Sequence, residues 1–133
     1  MQNMSPGKSA LGLDANVAAG LCYVPVCYVN LILSIIVLVT DKTNKLARFH
    51  AFQSIFLMVG LIVVMILYFC AGIVGAILDN ALGYAVFTSL LGILSLILGL
   101  AILIAVVLAA IKAFQGQIFK LPIIGNLADK YSG

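Results

Sequence analysis

AFQSIFLMVGLIVVMILYFCAGIVGAIL, Ala51–Leu78, holds 28 consecutive residues without a charge. At about 1.5 Å per residue it would reach about 42 Å as a helix, more than the roughly 30 Å of hydrocarbon in a bilayer. Two more uncharged stretches flank it, Ala15–Val39 and Ala81–Ile111. Between Asp14 and Lys112 the only charges are Asp41, Lys42, Lys45, Arg48 and Asp79. Lipid is therefore the expected solvent for most side chains.

Composition points the same way. Of the 133 residues, 65% are hydrophobic and 8% charged, with a mean hydropathy of +1.28. Soluble domains carry about 25% charged residues. The spans consume most of the chain, which leaves no length for a separate soluble domain. A net charge of +3 is too small to suggest nucleic-acid binding. Cys22, Cys27 and Cys70 all sit in apolar stretches, without the spacing of a metal site, and read as packing residues. No cofactor is expected.

The expected architecture is an all-α integral membrane protein of three transmembrane helices, 15–39, 51–70 and 85–111. Residues 1–14 read as a flexible, retained N-terminus, with Asp14 capping the first helix. Pro25 should kink that helix. Runs two and three are too long for simple spans. The surplus is expected around Cys70–Gly83, where Gly72, Gly75 and Gly83 could release the chain from the helix along the interface. Asp79 should lie at an interface, since a carboxylate at mid-bilayer costs about 2.5–3.5 kcal/mol on the insertion scale. In the tail, 113–133, Gly116 should stop the third helix and Pro122 start a short interfacial one. Ile123, Ile124, Leu127 and Tyr131 would form its apolar face.

Basic residues set orientation. Lys42, Lys45 and Arg48 lie in the first loop, and Lys112, Lys120 and Lys130 in the tail, while the second connection has none. With three spans this places the C-terminus inside and the N-terminus out, in the cytoplasmic membrane of a prokaryote.

Polar residues at membrane depth mark contact faces, because lipid provides no hydrophobic reason for helices to associate. Asn16, Gly20, Tyr23, Cys27, Asn30 and Ser34 recur at spacings of 4, 3, 4, 3 and 4, and would share one face of the first helix. Thr88, Gly92, Ser95 and Gly99 repeat the pattern on the third. These residues are candidates for helix packing or for a polar lining. The densest cluster is RFHAFQS, Arg48–Ser54, in which His50, Gln53 and Ser54 share a helical face. Arg48, His50, Gln53 and Ser54 are the candidate partner- or lipid-binding residues, with Arg48 facing phosphates. His50 alone could serve as a proton relay or haem ligand. No carboxylate lies near enough in sequence for acid–base catalysis, and no nucleotide, metal or nucleophile motif occurs, so an enzyme is not expected.

Three stretches carry a family resemblance: GLDANVAAGLCYVPV (Gly12–Val26), DKTNKLARFHAFQS (Asp41–Ser54) and AFQGQIFKLPIIGNLADKY (Ala113–Tyr131). The chain resembles small prokaryotic membrane proteins of unknown function similar to the plastid inner-envelope import subunit of the Tic translocon. It also looks like magnetosome membrane proteins of the MamF type. The resemblance implies a role in a preprotein-conducting assembly or in organelle membrane biogenesis, with no catalytic residue to place. The plastid subunits have four helices, against three spans and an interfacial tail here. The expected function is thus a structural or assembly component of a membrane complex, partnered by lipid and by copies of itself or other membrane proteins. A transporter or channel subunit is the alternative.

Overall fold

The computed structural model describes residues 7–24 and 29–133, and these contain five helices and no β-strand. They are α1 (Ala15–Leu21), α2 (Val29–Thr40), α3 (Lys45–Leu82), α4 (Val86–Phe114) and α5 (Ile124–Ser132). The chain forms two compact units, residues 1–58 with 105–133, and Val59–Ile104.

The second unit is a helical hairpin. Its surface is apolar on every side, with Met65 73%, Phe69 69% and Leu96 74% exposed. A helix hydrophobic all round belongs in lipid or in a large core. No such core exists here, so these faces meet acyl chains. Two polar ties hold the hairpin. Tyr68 Oη donates to the Leu91 carbonyl at 2.7 Å. At the turn, Asp79 accepts the amides of Phe87 and Thr88, both at 2.8 Å, and the Thr88 hydroxyl at 2.6 Å. A carboxylate on one helix thereby caps the first turn of the next, where amides have no intrahelical partner and the dipole favours a negative charge. Gly83, at φ +73°, makes the turn itself.

Continuous helix through Leu82 corrects the expected departure at Cys70–Gly83. In hydrocarbon, an unwound segment would leave amides and carbonyls unpaired, so the helix persists through Gly72 and Gly75. Gly75 serves close packing instead: a methyl there would lie 3.4–3.5 Å from Leu91 and Phe87. The surplus length of run two is helix, beginning at Lys45 and ending at Leu82.

The first unit holds α1, α2, the start of α3, the end of α4 and α5. Alanines dominate its centre: Ala15, Ala19, Ala109, Ala113 and Ala128 pack with Tyr23, Leu46, Phe49 and Ile118. Small side chains let backbones approach closely. The closest approach is at Gly20, where an added methyl would meet the Phe114 ring at 2.5 Å.

The expected first span, 15–39, is not one helix among the described residues. α1 ends at Leu21, and Tyr23 and Val24 donate to the carbonyls of Gly20 and Leu21, a tightening of the last turn. The residue before a proline resists helical geometry, and Val24 precedes Pro25. The expected kink at Pro25 lies outside the described residues, as does Cys27. α2 has 12 residues, about 18 Å at 1.5 Å each, so it is too short to cross alone. Among the described residues, only α3 and α4 are long and apolar enough to cross a membrane.

Residues 7–14 form a turn closed by backbone bonds. Lys8 pairs with Asp14 in an antiparallel bridge, and Ala15 N donates to Gly7 O at 2.9 Å. Asp14 occupies the N-cap of α1 but makes no side-chain cap bond, contrary to expectation. Asp41, only 2% exposed, links this segment to the next loop: its carboxylate accepts the amides of Ala10 and Asn44, each at 3.2 Å. Asn44 in turn caps α3, accepting the amides of Leu46 and Ala47. The N-terminal segment and the first loop therefore meet directly.

Asp79→Ala should loosen the hairpin turn. We expect a lower thermal midpoint in detergent and faster hydrogen exchange at the Phe87 and Thr88 amides, with no change at Leu46 or Ala47. Unchanged exchange at Phe87 and Thr88 would remove the carboxylate cap.

Candidate functional site

The Arg48–Ser54 cluster forms the polar centre of the first unit. His50 and Gln53 are fully buried, Tyr23 is 3% exposed and Ser54 4%. His50, Gln53 and Ser54 project from the first turns of α3, where the Asn44 cap fixes the helix start and a three- and four-residue spacing aligns them, while Tyr23 comes from just past α1.

Hydrogen bonding assigns the imidazole's proton. His50 Nε2 lies 3.1 Å from the Gln117 carbonyl, which can only accept, so Nε2 carries hydrogen. Nδ1 then accepts from the Tyr23 hydroxyl, 3.1 Å away. That hydroxyl accepts from Gln53 Nε2 at 2.8 Å, and the same amide nitrogen donates to Phe119 O at 3.1 Å. Gln53 Oε1 accepts from Leu121 N at 3.3 Å. Every polar atom of the Tyr23–His50–Gln53 set is paired. Ser54 completes it, donating to the carbonyl of Cys22 at 2.6 Å, just past the end of α1.

The cluster thus joins three segments: the end of α1, the start of α3 and the stretch after α4. The last of these, Gln117–Leu121, is a non-helical strap. α4 ends at Phe114 and Gly116 turns the chain at φ +71°, as expected of that glycine. A side chain at 116 would run into Asn16, 2.9 Å from its Oδ1. Ile118 and Leu121 are buried. α5 follows, starting at Ile124 beyond Pro122, with Gly125, Ala128 and Ser132 buried and Ile123, Leu127 and Tyr131 exposed. The expected short helix is present, and the exposed row is the apolar face anticipated, except that Ile124 is half-buried.

Arg48 does not face outward for phosphate. Its Nε donates to Ser132 O at 3.2 Å, its Nη1 to Asp41 O at 3.4 Å, and its guanidinium lies 5.8 Å from the Phe52 ring centre. Phe52, Phe56 and Tyr131 pack together beside it. Asp129 sits 2.7 Å from Lys120 Nζ and 3.9 Å from Lys45 Nζ. The Lys120 hydrogen bond holds the Asp129 carboxyl below the usual carboxylate range, though these exposed pairs contribute little to stability.

The polar stripe expected along one helix is divided. Asn16 and Tyr23 belong to the α1 side of the cluster. Asn30 and Ser34 belong to α2, where the Ser34 hydroxyl donates to the Asn30 carbonyl at 2.6 Å. On α4, Thr88 is bound to Asp79 and Ser95 donates to Gly92 O at 2.7 Å. These hydroxyls are spent on backbone or turn. His50, with both ring nitrogens engaged, has no lone pair free for a haem iron.

Sequence reasoning missed Asp41 and Asp79 as clasps and Gln117–Leu121 as a strap. Their partners are backbone amides and carbonyls, which carry no residue signature.

A hairpin of two helices long and apolar enough to cross a membrane, together with a small polar-centred helical unit, defines a small helical membrane protein. The chain matches the magnetosome magnetite crystal formation protein family, MamF/MmsF, over residues 14–128, and it belongs to that family. A UPF0132 membrane protein of Methanocaldococcus jannaschii is 34% identical over 126 residues, covering 95% of this chain and 96% of the relative. A second from that organism is 29% identical, covering 92% of this chain and 73% of its own. One from Archaeoglobus fulgidus is 30% identical, covering 91% and 98%. No solved structure matches. The protein is a membrane protein of the lipid bilayer.

Tyr23→Phe removes the donor to His50 Nδ1 and the acceptor for one Gln53 proton. Leaving buried polar groups unpaired costs about 1–3 kcal/mol. Thermal melts in detergent should fall accordingly, and a midpoint equal to wild type would show the network to be dispensable.

Proposed function

We propose that the protein is a non-enzymatic assembly component of a membrane complex. One observation carries this reading: the groups of Arg48–Ser54 that chemistry would need are committed to holding segments together. Nothing among them is left aimed at a substrate. The hairpin, by contrast, presents apolar side chains all round, suited to lipid and to neighbouring helices. The family's description names magnetite crystal formation in magnetosomes. For this chain we take from it only an architectural role in a membrane. The resemblance to the plastid import subunit suggests that such a complex handles polypeptides.

The same reading sets a topology. All seven basic residues lie in the first unit, and the second has Asp79 as its only charge. Two crossings, α3 and α4, return the chain to the side it left. The Ala10–Asp41 and Arg48–Ser132 bonds tie Ala10 and Ser132 to that side. The positive-inside rule makes that side the cytoplasm. On this reading both ends of the chain face the cytoplasm, whereas the three-span reading puts the N-terminus outside.

Single cysteines at Lys8, Lys130 and Tyr84, in a background with Cys22, Cys27 and Cys70 replaced by alanine, test the topology. A membrane-impermeant maleimide on right-side-out vesicles should label position 84 and spare 8 and 130. Labelling of position 8 would restore three crossings. For the assembly role, native gels of membranes in mild detergent should show a discrete species well above the 14.0 kDa chain. A protein that runs as a monomer in every mild detergent would overturn that role.

A further inference from the structure

The strap is held in an unusual way for a chain's own tail. Side chains of α3 grip its backbone at alternate residues: His50 at Gln117 O, Gln53 at Phe119 O and at Leu121 N. These bonds turn the backbone groups of 117, 119 and 121 to the same edge, the alternation an extended chain has. Between them Ile118 drops into the alanine-rich core. Backbone pairing along one edge, with a pocket for an alternate side chain, is how proteins bind extended peptides of another chain.

Two further observations show the strap to be a less than complete occupant. Asn16 Oδ1, on the receiving side, and Gln117 Oε1, on the strap, are buried with no hydrogen-bond partner among the described residues. Asn16 Oδ1 lies beside Gly116, where the strap begins. At the other end Ile123 sits at φ +65°, ψ −59°, and is 79% exposed. A β-branched residue at positive φ is strained. The link from strap to α5 therefore holds the strap at a conformational cost.

We propose that the Tyr23–His50–Gln53 centre is a receptor for an extended polypeptide segment supplied in trans, and that residues 117–121 are its resident, displaceable latch. The segment would carry a free backbone edge and an aliphatic residue in the place of Ile118. This rests on the assembly reading above and names what is recognised there. The resident latch has the advantage of intramolecular concentration, in the millimolar range for short linkers, so a competitor is favoured only where the latch is weakened or the segment is presented nearby.

A biotinylated photoreactive peptide with the sequence of residues 117–124, QIFKLPII, tests it on the full-length protein in nanodiscs. Irradiation should label the start of α3, within 45–58. Weakening the latch by Ile118→Ala in the protein should raise labelling by about tenfold, the factor that about 1.4 kcal/mol represents. Gln53→Leu in the protein should abolish it. A peptide N-methylated at the Leu121 amide, which Gln53 Oε1 could no longer accept, should fail to label any version, with the protein itself untouched. Equal labelling by the methylated and unmethylated peptides overturns the proposal. So does absence of labelling both in Ile118→Ala and in wild type at millimolar peptide. The peptide experiment needs no cellular partner, so a monomeric native gel would sink the assembly role without deciding this one.

Discussion

The amide of Gln53 is the constraint on which the first unit depends. It is buried and meets a phenol from beyond α1 and two peptide groups from beyond α4, so a segment that leaves without a replacement strands the others. A buried polar network of this kind is stable when every member is paired and costly when one is missing. The packing around it follows. Alanines and Gly20 bring the segments close enough for those bonds, and the Phe114 ring lying over Gly20 shows how little room remains.

The hairpin obeys a different economy. Burial of apolar surface, which organises soluble proteins, gives little reason for two leucine-rich helices to pair in lipid. A carboxylate cap and one tyrosine hydroxyl do the aligning instead. Both act on backbone groups. The pairing therefore leaves α3 and α4 free to present apolar side chains outward along their length.

How much of this could be read from residues alone depends on what each residue touches. Ala51–Leu78 and Ala81–Ile111 announce membrane helices because the bilayer imposes a length and forbids charge. Gly116 and Pro122 mark the end of α4 and the approach to α5, since their dihedral preferences are local. RFHAFQS stands out as a cluster because its polarity is anomalous among apolar neighbours. What it binds could not be read, as its partners are the carbonyls of residues 117, 119 and 132. The same holds for Asp79, which reads as a surface charge and acts as a cap. The end of α1 is less legible: Pro25 suggests a kink at the proline, whereas the helix already stops at Leu21, ahead of it. Gly72 and Gly75 were overestimated as breakers, because outside water the helix has no competing partner for its backbone.

The segregation of charge has a consequence for how the chain enters the membrane. In the topology proposed above, no lysine or arginine has to be carried across the bilayer. The only charge to make the passage is Asp79, and an inside-negative potential assists an outgoing anion by about 2.3 kcal/mol per 100 mV. α3 and α4 can then insert together as a preformed pair, with the field drawing their turn outward and the basic residues refusing to follow.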